Sequence, residues 1–410
     1  MSAPAPSAAP APSLLSGLEL APRDPILGIT EAFVADPNPN KVNLGVGVYC
    51  DDEGRVPLLE CVRRAEAQRI ASAVPRAYLP IEGLAAYDRA VQELVFGKDC
   101  AALRDGRIVT VQSLGGTGAL RIGADLLRRV VPMPAALVSE PSWENHRALF
   151  EAAGFRVGTY PYYDARTHGL DFGGMMRALE AAAPGTVVVL HACCHNPTGV
   201  DLGARQWNDV LEVMRGRGLV PFLDLAYQGF ADGLEADAHA PRLFANATQP
   251  VFVASSFSKS FSLYGERVGA LSVVSGSGEE AARVLSQLKR IVRASYSNPP
   301  GHGSDIVARI LGTPELRALW ERELGGMRTR IQEMRKALVE GIHARVPEAD
   351  FSFVLAQRGM FSYSGLSREQ VRRLREEFSI YAIETGRICV AALNRRNIGY
   401  VTEAIAKVLR

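Results

Sequence analysis

Residues 186–224 read TVVVLHACCHNPTGVDLGARQWNDVLEVMRGRGLVPFLD. Two short apolar runs, 186–191 and 220–224, are bounded by turn residues and rich in β-branched side chains, so each reads as a strand buried on both faces. Between them, residues 205–216 repeat apolar positions at helical spacing. Strand, helix, strand is the signature of a parallel pair. Working outward, the same alternation predicts strands at 107–112, 136–138, 251–254 and 269–274, with helices at 119–130 and 279–295. The expected fold is α/β, a mostly parallel sheet covered on both faces. In such sheets a ligand sits beyond the carboxyl ends of the strands.

The pattern changes downstream. Leu316, Trp320, Leu324, Met327, Ile331, Met334, Leu338 and Ile342 recur at steps of three and four. This predicts one long helix whose apolar stripe is core. After it we expect strands at Asp350–Leu355, Gly359–Tyr363 and Arg387–Leu393 and a helix at Arg368–Glu377, a smaller α+β unit. Upstream, a short helix is expected at Pro25–Val34. It precedes Val42–Tyr49, whose glycines Gly45 and Gly47 suggest a backbone that something approaches closely.

The chain has 410 residues, 47% hydrophobic and 22% charged. That is globular usage and excludes a collagen-like or coiled-coil chain. A net charge of +2 gives no basis for a nucleic-acid surface. Six cysteines in so long a chain are not a disulfide framework, and a reducing cytoplasm is expected. No run of 18 apolar residues suits a membrane span. The opening MSAPAPSAAPAPSLLSG has neither the basic nor the apolar region of a signal peptide. It reads as an Ala/Pro arm, disordered over about its first dozen residues.

Four motifs fall at strand ends: Ser113–Leu120 with a glycine turn opening a helix, His195–Gly199, Asp224–Phe230, and Ser255–Ser260 with Gly265–Gly269 behind it. Singly, each has an ordinary reading as a turn, a cap or a solvated cation. Together they place a phosphate-holding turn, a carboxylate, a phenol, a lysine and an arginine on one sheet edge. Those are the parts a pyridoxal phosphate site needs. Gly116-x-Gly118 also opens like a dinucleotide turn, with Glu140 roughly twenty residues on, but Arg121 stands where close helix packing demands the third glycine. His191, Cys193, Cys194 and His195 do not match zinc-ligand spacing, because adjacent cysteines hardly ligate one tetrahedral ion. We expect no metal.

These residues resemble a known family. VNLGVGVY, YLPIEG, GGTGAL, PSWENH, HACCHNPTG, FLDLAYQGF, SFSKSFSLYGERVGA, YSNPPGHG, RGMFSYSGL and RICVA occur in order between Asp24 and Leu409. The chain is similar to class I, fold-type I aminotransferases of the aspartate/aromatic amino acid group, which use pyridoxal 5'-phosphate. The resemblance implies a large domain over 58–315 with a seven-stranded sheet. It also implies a small domain from 24–57 and 316–410, the latter including an interdomain helix, and an arm over 1–23.

Carried over by motif, Lys259 resembles the Schiff-base lysine and proton shuttle, and Asp224 the partner of the pyridine nitrogen. Tyr227 and Asn196 resemble the groups bonding the phenolic oxygen. Trp143 resembles the residue stacked on the ring, and His146 the group bonding Asp224. Gly116, Thr117, Ser256, Ser258 and Arg267 resemble the phosphate cradle. Arg387 resembles the clamp on the substrate α-carboxylate, and Gly47 a close-approach glycine beside it. Tyr78 and Arg293 resemble residues acting on the neighbouring subunit's site, at its phosphate and at the substrate side-chain carboxylate. Composite sites imply a homodimer.

The resemblance implies ping-pong transamination between Phe, Tyr, Asp or Glu and 2-oxoglutarate or oxaloacetate. Overall wording leans to the aromatic branch, whereas Thr117, Asn298 and Val48 lean to the aspartate branch. Cys50, Val56 and Ala77 fit neither. A dedicated aspartate aminotransferase is the alternative. A pyridoxal-dependent lyase or decarboxylase of the same fold is another, and the two arginines Arg293 and Arg387 count against it. A silent cofactor-binding regulator would need a DNA-binding appendage, which the segment before Asp24 is too short to form.

Overall fold

The computed structural model describes residues 13–21, 25–73, 75–247 and 250–410. The expected disorder of the first dozen residues lies outside the described residues. Seven strands build the central sheet: β1 (Ile108–Leu114), β2 (Ala135–Glu140), β3 (Arg156–Pro161), β4 (Val187–His191), β5 (Val220–Leu225), β6 (Val251–Ser256) and β7 (Val268–Val274). Their spatial order is β1-β7-β6-β5-β4-β2-β3. Every neighbouring pair is parallel except the two made by β7, which runs antiparallel to β1 and β6. The link Phe257–Arg267 is too short for a helical crossover, so the chain turns back on itself.

β4, β5, β6 and β7 are buried along their whole length, as strands covered on both faces must be. The helix Gly115–Val130 lies across β7, β6 and β1. The α/β fold expected from the alternation, a mostly parallel sheet covered by helices on both faces, is the one observed. β3 was not anticipated. It is an edge strand, exposed at Arg156, Thr159 and Pro161, with neither an apolar run nor clean alternation.

The helix Pro314–His343 buries all eight residues of the expected stripe. Two small sheets lie outside the central one, and the first ties the chain's ends together. Val42–Asn43 runs parallel to Ile380–Tyr381, and Phe361–Tyr363 runs antiparallel to Arg387–Cys389. The strand expected at Asp350–Leu355 is a correction. Asp350 Oδ1 accepts from the Ser352 amide at 2.8 Å, bending the chain into a short helix, Phe353–Ala356. A side chain that bonds the backbone two residues on favours a turn over a ladder. The strand expected at Arg387–Leu393 stops at Cys389 and continues as a 3₁₀ turn, Val390–Ala392. Among the described residues no helix is long and apolar enough to cross a membrane.

One consequence of the topology positions the site. The carboxyl ends of β1, β4, β5 and β6 share one edge with the beginning of the antiparallel β7. That edge gathers Gly116 and Thr117, His191, Asp224, Ser256 and Arg267.

Candidate active site

A cavity of about 250 Å³ opens on this edge, between the sheet and the strands Phe361–Tyr363 and Arg387–Cys389. Its lining brings together Gly47, Gly116, Thr117, Trp143, Asn196, Asp224, Tyr227, Ser256, Ser258, Lys259, Arg267 and Arg387. All of these were singled out from the sequence. His146 stands directly behind Asp224.

The floor is built on buried charge. His146 Nε2 lies 2.9 Å from Asp224 Oδ2, and His146 Nδ1 lies 3.0 Å from Ser142 Oγ. Burial pushes the Asp224 carboxyl upward. The hydrogen bond from His146, the charges of His146 and His191, and Lys259 outweigh it and hold the group below its ordinary range. Asp224 is thus ionised and accepts from His146 Nε2. Trp143 meets His146 edge to face at 5.3 Å, at the start of the helix Glu144–Ala152.

Lys259 Nζ lies 4.9 Å from the centre of the Tyr227 ring. Burial lowers the Lys259 pKa, with a contribution from the Arg267 charge, and Asp224 opposes them only in part. An amine so placed loses its proton more readily than a surface lysine. Burial, reinforced by the Asp224 charge, raises the Tyr227 phenol well above its usual value. Tyr227 therefore stays a neutral donor.

One end of the cavity is a cradle of donors. Ser256 and Ser258 place their hydroxyls 3.3 Å apart. Arg267 Nη1 reaches Ser258 Oγ at 3.3 Å and the Tyr264 carbonyl at 2.9 Å. Arg267 adopts a left-handed φ of 54°, which turns it into the site at the start of β7. Opposite, the helix Gly115–Val130 begins, offering free amides and the positive end of its dipole. A Cβ on Gly115 would stand 2.6 Å from Arg267 Nη2, and φ there is +67°. Only glycine leaves this cradle open.

At the other end Arg387, 1% exposed, donates from Nη1 to Asn196 Oδ1 at 3.2 Å and from Nη2 to the Gly45 carbonyl at 2.6 Å. Its Nε is buried without a partner. An orphaned N–H on a planar fork is a vacancy that a carboxylate fills. The guanidinium lies 4.5 Å over the Phe361 ring. A Cβ on Gly47 would stand 2.6 Å from Phe361 Cζ, so any larger residue displaces that ring.

Tyr78 and Arg293 do not line the cavity. Tyr78 is 91% exposed, and Arg293 caps the end of the helix Gly278–Ser295 with a bond to Ser297 Oγ. Sequence reasoning missed other walls: His191, Tyr264, Phe361, Leu120 and Ala226. His191 entered the sequence reading only within a cluster that does not match zinc-ligand spacing. It is buried between the His146 and His195 rings, at 4.9 and 4.4 Å, yet both of its nitrogens lack partners. Tyr264, whose hydroxyl accepts from the Tyr49 amide at 2.9 Å, and Phe361 sit inside quoted motifs. Position at a strand end could not flag them, because Tyr264 lies midway along the link between β6 and β7 and Phe361 enters from a facing strand.

The donor set fits pyridoxal phosphate. Hydroxyls, an arginine and a helix N-terminus suit a phosphate ester, Asp224 suits a protonated ring nitrogen, and Lys259 suits an aldehyde. The comparisons agree. Residues 39–405 match the family model described as aminotransferase class I and II. An aspartate aminotransferase of Pseudomonas aeruginosa is 60% identical over 397 residues, 97% of this chain and 100% of that protein. An aromatic-amino-acid aminotransferase of Escherichia coli is 50% identical over 389 residues, 94% of this chain and 98% of its own. The crystal structure of an aromatic-amino-acid aminotransferase from Burkholderia pseudomallei, covalently bound to pyridoxal phosphate, superposes with a TM-score of 0.95 at 64% identity, covering 97% of this chain and 100% of that one.

Proposed function

The chain belongs to the class I and II aminotransferases, and from that premise we propose that it transaminates both dicarboxylic and aromatic L-amino acids, with 2-oxoglutarate or oxaloacetate as acceptor. Its cofactor is pyridoxal phosphate, which when bound supplies the electron sink for a negative charge at the substrate Cα. The observation that carries the reading is the meeting, in one cavity, of the buried Lys259 amine, the His146-bonded Asp224 and the Arg387 fork with its free Nε.

Each residue then has a task. Arg387, aided by Asn196, clamps the substrate α-carboxylate and so fixes the Cα. Lys259 Nζ takes the Cα proton and holds it for return, a short-range transfer by an amine that burial keeps readily neutral. Asp224, held ionised by His146, keeps the ring nitrogen protonated. With the cofactor bound, Tyr227 and Asn196 would bond its phenolic oxygen and Trp143 would stack on its ring. Gly116, Thr117, Ser256, Ser258 and Arg267 hold the phosphate, and Gly47 leaves room for substrate beside Phe361.

The dual specificity rests on relatives of both names at comparable identity and on Arg293 being present. We assign Arg293 and Tyr78 to the cavity of a second subunit in a homodimer. The exposure of Tyr78 and the absence of both residues from the lining of their own cavity support this. The pairing of Val42–Asn43 with Ile380–Tyr381 supports a small domain drawn from both ends of the chain. Six free cysteines and a cytoplasmic relative from rice support work in a reducing cytoplasm.

A half-reaction tests the assignment. L-aspartate or L-phenylalanine alone should bleach the yellow holoenzyme, releasing one equivalent of the matching 2-oxo acid, and 2-oxoglutarate should restore the colour. Release of carbon dioxide, or of ammonia without a bleached enzyme, would mean a decarboxylase or lyase instead.

A further inference from the structure

Arg335 lies midway along the helix Pro314–His343, in a stripe otherwise made of Ile331, Met334 and Leu338, and is only 3% exposed. Its guanidinium donates to the carbonyls of Gly359 at 2.8 Å, Phe361 at 3.1 Å and Val354 at 3.3 Å, and to Ser362 Oγ at 3.0 Å. Among the described residues no carboxylate bonds it. Burial lowers its pKa to about 10, so it remains a cation at neutral pH. A buried cation without an acidic partner is a poor way to gain stability, and an apolar residue of similar volume is often as good or better. Its value must lie in what it fixes.

All four acceptors belong to one segment, residues 354–362, and that segment touches the candidate carboxylate site twice. The Phe361 ring lies under the Arg387 guanidinium at 4.5 Å. The Arg358 amide donates to the Gly199 carbonyl at 2.7 Å, and a Cβ on Gly359 would stand 2.4 Å from Cys194 Cβ. The segment is thus pressed onto the loop that carries Asn196, whose Oδ1 accepts from Arg387. We propose that Arg335 is a positioning residue for the substrate carboxylate, seating the Arg387 fork from below through Phe361 and from the side through Asn196. This rests on reading Arg387 as the carboxylate clamp.

The test compares Arg335→Met, Arg335→Lys and Arg387→Lys holoenzymes. The probe is 3-phenylpropionate, an unreactive monocarboxylate, with binding read from cofactor absorbance. In Arg335→Met, its dissociation constant and the KM values for aspartate and phenylalanine should rise by one shared factor, about tenfold to a hundredfold. kcat should change less, and cofactor affinity and the pH titration of cofactor absorbance should not move. Arg335→Lys, which keeps the charge but loses the planar fork, should show a smaller rise. It carries the test if the methionine variant does not fold. Unchanged binding in whichever variant folds, or a parallel loss of cofactor affinity, overturns the proposal. If Arg387→Lys itself leaves 3-phenylpropionate binding unchanged, the clamp reading fails. If Arg387→Lys weakens it and the Arg335 variants do not, only the positioning role fails.

Discussion

At the scale of single residues, the proposed chemistry is concentrated in Lys259 and in the Asp224 carboxylate that His146 bonds. Lys259→Ala should lower turnover by about a thousandfold or more, since both the covalent tie and the proton carrier are lost. Steady-state rates with either amino acid check this, and a loss below tenfold would contradict it. Asp224 makes a pH prediction whose sign is fixed. Its carboxyl sits below the ordinary value of 3.8, so the unfolded chain binds the extra proton first as pH falls. Its contribution to stability is complete above that value and is lost as pH falls through the lower, folded one. In cofactor-free protein, Asp224→Asn should therefore flatten the dependence of unfolding free energy on pH below about 4. Denaturant titrations at several acidic pH values would show it, and equal slopes would count against the depressed Asp224 carboxyl.

At the scale of elements, the site depends on close approaches at the sheet edge. Gly269, in β7, faces the turn that opens the helix Gly115–Val130. A Cβ there would stand 2.4 Å from the Gly115 carbonyl carbon and 2.7 Å from the Ser255 oxygen, both backbone atoms that cannot swing aside. Gly269→Ala should cost about 1–3 kcal/mol by overpacking and loosen the phosphate cradle at once. Chemical denaturation and cofactor dissociation measure the two effects, and normal values for both would contradict the close fit. Trp320 anchors the long helix to the lysine-bearing loop, donating to the Ser260 carbonyl at 2.7 Å and stacking on Phe261 at 4.5 Å. Trp320→Ala should destabilise by about 3–5 kcal/mol, read from the denaturation midpoint.

These elements also show what a single sequence reveals. Strands buried on both faces and the eight-residue stripe follow from burial itself, because apolar runs and helical spacing are its direct imprint. The strand-end residues from Gly116 to Arg267 were legible because topology alone brings strand ends together. β3 was not, since an edge strand exposed at Arg156, Thr159 and Pro161 carries little imprint. The bend at Asp350 was hidden too, because one side-chain to backbone bond overrode a strand-like composition. Phe361 became visible only when a facing strand met the sheet edge, and Tyr264 only when the link between β6 and β7 folded against Tyr49.

At the scale of the whole molecule, the proposed homodimer would complete each cavity with Tyr78 and Arg293 of a second subunit. Lys259→Ala and Tyr78→Phe subunits, each impaired alone, should form hybrid dimers with one restored site when mixed under exchange conditions. Activity no greater than the sum of the parents would argue against shared cavities. The proposed role of Arg293 at the substrate side chain is tested in the same way: Arg293→Leu should depress kcat/KM for aspartate far more than for phenylalanine. The most direct test of the central claim is kcat/KM for L-aspartate and for L-phenylalanine in the unaltered holoenzyme, with 2-oxoglutarate as acceptor. Dual specificity predicts values within about a hundredfold of each other, under roughly 3 kcal/mol of transition-state free energy. An aspartate preference of several orders of magnitude would contradict it and leave a dedicated aspartate aminotransferase.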